Sequence, residues 1–100
     1  MDNLNETLYR VVEGYAGEGL NSMGYLTQSR DGSVLAVVDV AQSGGKRVSN
    51  TMLIARLVGD HIVIEKDANS DPLYEALMQA GIPREQIILA YAGEPVPETA

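Results

Sequence analysis

The chain opens with a helical pattern of apolar and polar positions. Leu4, Leu8, Val11, Val12 and Tyr15 fall on one stripe of an amphipathic helix. Asp2, Asn3 or Asn5 can cap it, Glu6 suits its positive end, and Gly14, Gly17 and Gly19 weaken and then break it. The pattern predicts a helix over residues 3–16. The period then becomes alternating. Residues 23–29 read as a short strand, and Asp31-Gly32 as a type I′ hairpin turn, which needs positive φ at both central positions. Residues 33–41 form the clearest strand. Val34, Ala36, Val38 and Val40 line one face, and Ser33, Leu35, Val37 and Asp39 the other. The first of these faces is expected to meet the helices.

Residues 42–46 make a glycine-bearing loop, and 47–58 a third strand. Arg56 interrupts its alternation by sharing a face with Met52, Ile54 and Val58, and a bulge or bend near residues 49–51 would account for the switch. Gly59-Asp60 turns the chain into a fourth strand, with Ile62 and Ile64 inward and His61, Val63 and Glu65 outward. A polar loop follows. Asp71 as N-cap and Pro72 as first helical residue open a second helix with the buried stripe Leu73, Ala76, Leu77 and Ala80. Gly81 suits the left-handed position after the helix, Ile82 folds back on the last turn, and Pro83 forbids continuation. A last strand is expected over 86–91.

The order α-β-β-β-β-α-β predicts a two-layer α+β fold, a mainly antiparallel five-stranded sheet with both helices on one face. Residues 1–92 are read as one domain and 93–100, with Pro95 and Pro97, as a loose C-terminal tail. The second sheet face would stay open. Leu35, Val37 and Val63 would then leave an apolar surface suited to self-association as a homodimer.

Composition narrows the function classes. Phe, Trp and Cys are absent, so the core is aliphatic and neither a disulfide framework nor a thiolate metal site is available. Net charge is −7, and the seven basic residues are spread along the chain rather than clustered. Direct nucleic-acid binding is therefore not expected. No apolar run approaches the roughly 18 residues of a membrane span, and the N-terminus has no signal-peptide pattern. A cytoplasmic protein without membrane contact is the expectation.

Candidate chemistry is sparse. His61, the only histidine, suits a general base or metal ligand, but an exposed strand residue is the simpler reading. Asp39 between two valines could bind a cation with Asp31 and Asp67, but a cross-strand ion pair with Arg47 or Arg56, or a solvated open face, is the simpler reading. Gly44-Gly45-Lys46-Arg47 fails as a phosphate loop, because Val40 stands where glycine is required and Arg47 where Ser or Thr is. Met23, Met52 and Met78 suit an adaptable binding surface, but filling gaps in an aromatic-poor core is the simpler reading. No catalytic residues, metal or cofactor are assigned. One rival reading is a ligand-binding domain or small hydrolase using Asp39, His61 and Asp67, which requires one concave pocket joining all three; the other is a purely structural homodimer with no further partner.

The segment 60–91 resembles the XisI family, the excision controlling factor of the fdxN element. The resemblance rests on Gly59-Asp60, on Ile62-Val63-Ile64-Glu65-Lys66-Asp67, and on Leu77 with Gly81-Ile82-Pro83. It continues in Ile87-Ile88-Leu89-Ala90-Tyr91. Val37-Val38-Asp39-Val40 with Lys46-Arg47-Val48 extends it over roughly 33–95. Where the family usually carries tryptophans and a Phe-His pair, this chain has Gln42-Ser43, Val63 and Tyr91-Ala92. The resemblance implies a non-enzymatic accessory protein of DNA-element excision that binds a protein partner, nuclease-like or a recombinase. The expected contact residues are Arg47, His61, Val63 and Glu65, with Gly93, Glu94 and Pro95 nearby.

Overall fold

The computed structural model describes residues 3–97. The N-terminal helix α1 spans Leu4–Glu13, and the Asn3 side chain caps it by accepting the Glu6 N–H at 2.7 Å. Of the other two cap candidates, Asp2 lies outside the described residues and Asn5 is already inside the helix. Six strands follow: β1 Gly17–Gly19, β2 Ser22–Gln28, β3 Val34–Ser43, β4 Lys46–Val58, β5 His61–Asp67 and β6 Ile87–Leu89. Helix α2, Leu73–Gln79, stands between β5 and β6. The fold is α+β, as the pattern predicts. The sheet, however, is six-stranded and mixed, in the order β1-β2-β3-β4-β5-β6, with β5 and β6 parallel.

Both differences have a local cause. Gly17 and Gly19 look like breakers, yet the register Gly17↔Gly24 and Gly19↔Ser22 gives them a hairpin partner. At the other end α2 returns the chain to the side of the sheet it left. The last strand therefore runs parallel to β5, the arrangement for which a helical crossover is needed. It keeps only three residues before the 3-10 turn Ala90–Ala92.

Turn chemistry sets the register. The type I′ expectation at Asp31-Gly32 fails, because Gly32 has φ +79° but Asp31 does not have positive φ. The Asp31 carboxylate instead ties the loop, accepting from the Ser33 N–H at 3.0 Å and from the Ser29 and Ser33 hydroxyls at 2.8 Å each. These bonds pull its pKa down to about 2. Positive φ at both central positions occurs one hairpin later, at Gly44 (57°) and Gly45 (82°). In β4, Met52 is the extra residue between the pairs Val38↔Thr51 and Val37↔Leu53. The bulge thus falls just past the predicted stretch.

Helix α2 is stopped as the sequence indicates. Gly81 sits at φ +101°, its N–H donates to the Met78 carbonyl, and the Ile82 N–H reaches the Leu77 carbonyl. This is the Schellman pattern with a buried Ile82 closing it. The start of α2 corrects the sequence reading. Pro72, not Asp71, occupies the N-cap, and no side chain at that position caps the helix. Asp67, five residues upstream of Pro72, reaches over and accepts the Leu73 N–H at 2.7 Å.

The core lies between the helices and one sheet face. Leu8 and Val12 from α1 and Leu73 and Leu77 from α2 are fully buried with Leu35, Leu53, Ala55, Ile62 and Ile64, and with Val37 and Ile87 nearly so. Each large aliphatic side chain contributes roughly 1.5–3 kcal/mol by leaving water. This reverses the predicted facing of β3. Leu35 and Val37 point to the helices, and Val34, Ala36, Val38 and Val40 point away. The reason lies in the neighbouring strand. Val34 is paired with Arg56, whose guanidinium cannot be placed under two apolar helices without a large desolvation cost.

Candidate partner-binding face

Residues directly opposite one another in a ladder share a sheet face. The registers therefore define the uncovered side. Met23, Tyr25 and Thr27 of β2 stand beside Val40, Val38 and Ala36 of β3. Beyond them come Ile54, Arg56 and Val58 of β4, then His61 and Val63 of β5, and Ile88 of β6. Most of these side chains are half-buried by their neighbours alone, and Tyr25 is 51 % exposed. No α-helix of the described residues belongs to this side, since the buried apolar residues of α1 and α2 all join the cluster with Leu35 and Ile62.

Charge on this face is organised around one pair. Arg56 places both Nε and Nη2 at 2.8 Å from Glu65 Oε2. Glu65 itself is the extra residue of a second bulge, between the pairs Ala55↔Ile64 and Ile54↔Lys66. That irregularity turns its carboxylate toward the guanidinium. Val63, opposite Arg56 and beside Ile88, is fully buried although it is not part of the helix-side core. It supports the surface from beneath and does not itself present area to a partner.

The remaining predicted contact residues are dispersed. Arg47 sits at the β3–β4 hairpin end, paired with Gln42, and His61 at the β4–β5 end, paired with Val58. Eleven residue steps along β4, from Arg47 to Val58, separate those two ends, about 35 Å along a strand. Gly93 takes φ +91° after the final 3-10 turn. Glu94, assigned by sequence to the tail, is tied down. Its carboxylate accepts the Leu89 N–H at 2.8 Å and pairs with Arg84 Nη2 at 2.7 Å, which lowers its pKa. Arg84 in turn lies 5.9 Å from the centre of the Tyr74 ring. Pro95 is exposed.

The constellation needed for a hydrolase or ligand pocket does not assemble. Asp39 and Asp67 belong to the helix side, opposite Gly24 and Leu53 respectively, whereas His61 is on the other face of the sheet. A cleft of about 350 Å³ beside α1 includes Asp39, Tyr15, Met52 and Asn69, but neither His61 nor Asp67 lines it. The Asp67 oxygens are engaged by Leu73 N–H and by the backbone and side-chain nitrogens of Asn69. Tyr15 donates its hydroxyl to the Asp71 carbonyl at 3.0 Å. Burial first, then the carboxylates of Asp67, Asp71 and Glu75, push its pKa up. Among the described residues no group of His, Cys, Asp and Glu is arranged to hold a metal ion. No helix among the described residues is long and apolar enough to cross a membrane.

The bulges that place Glu65 and the outward turn of the β3 valines left only weak traces in the sequence. The one usable signal was Arg56 itself, a charge in an apolar strand that marks its face as the wet one.

These features define a small two-layer α+β protein whose two helices, among the described residues, both lie on one side of its sheet. Its family is set by sequence: the chain belongs to the XisI family, whose model, described as XisI protein, matches residues 21–99. Solved structures agree in fold. A XisI-like protein from Anabaena variabilis ATCC 29413 superposes with a TM-score of 0.73 at 18% identity, covering 85% of this chain and 81% of its own. The fdxN element excision controlling factor XisI from the same organism gives 0.68 at 21% identity, covering 87% and 88%. No curated protein matches the sequence.

Proposed function

We propose that this protein is a regulatory factor of DNA-element excision, without catalytic activity of its own, that acts by docking a protein partner on its uncovered sheet face. The observation that carries the reading is the placement of Tyr25, Val34, Ala36, Val38, Val40 and Val58 on a side over which no α-helix of the described residues lies. An apolar surface of that kind on a chain of net charge −7 suits a protein partner rather than a phosphate backbone. Membership of the XisI family, and the likeness in fold to a structure named as an excision controlling factor, supply the biological setting.

The partner is a nuclease-like protein or a recombinase of the cytoplasm, with a second copy of the chain as the rival occupant. His61 and Glu65 frame the contact at the β5 end, over buried Val63, and Arg47 marks its far end. Gly93, Glu94 and Pro95 lie beyond β6, outside the centre of the face.

The test is genetic. Deleting the gene in the native host is expected to change the frequency of the excised-element junction, measured by quantitative PCR. A Val38→Asp variant should reproduce the deletion while Val38→Ala restores the wild-type frequency. An unchanged junction frequency on deletion would overturn the regulatory role. A light-scattering mass of a dimer that Val38→Asp converts to monomer would assign the face to a second copy.

A further inference from the structure

The two edges of the sheet are finished differently. On β6 the outward-pointing backbone groups belong to Ile87 and Leu89, and all are taken. Ile87 N–H donates to the Arg84 carbonyl, and the Ile87 carbonyl accepts Arg84 Nη1 at 2.6 Å. Leu89 N–H donates to Glu94 Oε1 at 2.8 Å, and the Leu89 carbonyl accepts the Glu94 N–H at 3.1 Å. An edge plugged in this way offers no template to another strand.

The β1 edge is only partly covered. β1 pairs with Ser22, Met23 and Gly24, so β2 continues unflanked through Tyr25, Leu26, Thr27 and Gln28. Successive residues of an antiparallel strand send their backbone groups to opposite sides. Ser29 N–H donates to the Val34 carbonyl and the Asn21 carbonyl accepts the Gln42 N–H, so the odd-numbered residues of β2 face β3. Leu26 and Gln28 therefore direct N–H and C=O outward, where no strand of the described residues lies.

The surroundings specify what fits there. On the helix side, Glu6 and Tyr9 of α1 line a cleft of about 250 Å³ together with Asn5 and Gln28. Glu13 follows Tyr9 by four residues, the spacing that shares one side of a helix, and is exposed. Carboxylates before and after a half-exposed tyrosine ring attract a cationic side chain, through charge and through the ring face.

We propose that the free edge of β2 takes up an extended, basic segment of a partner protein as an additional strand, with a Lys or Arg side chain of that segment lying against Glu6 and Tyr9. Main-chain bonds to Leu26 and Gln28 supply the pairing, and the cleft supplies the choice of side chain. The added strand lies in the plane of the sheet, so this inference stands whether or not the uncovered face docks anything.

The test uses the full chain and two blocked pentapeptides, Thr-Val-Lys-Val-Thr and its counterpart with Glu at the centre, with amide hydrogen exchange followed by NMR. In the free protein the Leu26 and Gln28 amides should exchange at least about tenfold faster than those of Tyr25 and Thr27. The lysine peptide should slow both, the glutamate peptide neither. Glu6→Gln should weaken the lysine peptide's effect. Gln28→Pro should abolish it while leaving exchange across β3 and β4 unchanged, because the lost N–H serves no internal ladder. Slow exchange at Leu26 and Gln28 in the free chain overturns the proposal, as does peptide protection confined to other strands. Protection that grows with protein concentration alone also overturns it, by giving the edge to a second copy.

Discussion

Leu89 and Glu94 satisfy each other twice: the Leu89 N–H donates to the Glu94 carboxylate, and the Glu94 N–H donates to the Leu89 carbonyl. The same carboxylate holds Arg84, which also reaches the Ile87 carbonyl. Three residues of edge strand are thus fastened by two side chains from outside the strand.

That fastening is pH-dependent. The Leu89 N–H first, and Arg84 second, hold the Glu94 pKa below its ordinary 4.5. A depressed folded-state pKa contributes stability above the ordinary value, and the contribution fades as pH falls through the folded one. Urea midpoints between pH 7 and pH 3 should therefore fall less steeply for Glu94→Gln than for the wild-type chain. Parallel slopes would remove Glu94 from the acid response.

The start of α2 separates two readings by a pair of single substitutions. Asp67→Ala removes the acceptor of the Leu73 N–H and should cost about 1 kcal/mol, as loss of an N-cap does. Asp71→Ala should stay within about 0.5 kcal/mol, since the contact made by Asp71 is through its carbonyl. Chemical denaturation in both variants decides between them, and the reverse order would return the cap to Asp71.

The facing of β3 predicts a second contrast. Leu35→Ala opens a cavity under the helices and should cost roughly 2–5 kcal/mol. Val38→Ala, on the uncovered side, should cost under about 1 kcal/mol. Equal losses would mean that something covers the second face as fully as the first.

Local chemistry in this chain is written in short words that need no distant partner. Asn3 before a helical stripe, Gly81-Ile82-Pro83 after one, and alternation through His61, Ile62, Val63 and Ile64 each specify their element from adjacent residues. The presence of both helices, the stop of the second, the α+β class and four of the strands are legible for that reason. The relative placement of the predicted contact residues was less so. Arg47 and His61 are far apart because β4 runs the length of the sheet, and Val63 is buried by neighbours that no spacing in β5 reveals.

By itself, the sequence determined the α+β class, the antiparallel run of β2 to β5, the cap of α1 and the stop of α2, because these depend on backbone conformations reached within a few residues. Tertiary structure decided the facing of β3, the parallel return of β6, the cap lent by Asp67 and the sealing of one edge. Both faces of β3 carry large apolar side chains, Leu35 and Val37 on one and Val34, Val38 and Val40 on the other, so alternation alone does not decide its facing. Only the register against β4, which places Arg56 opposite Val34, makes one facing affordable in desolvation and the other not.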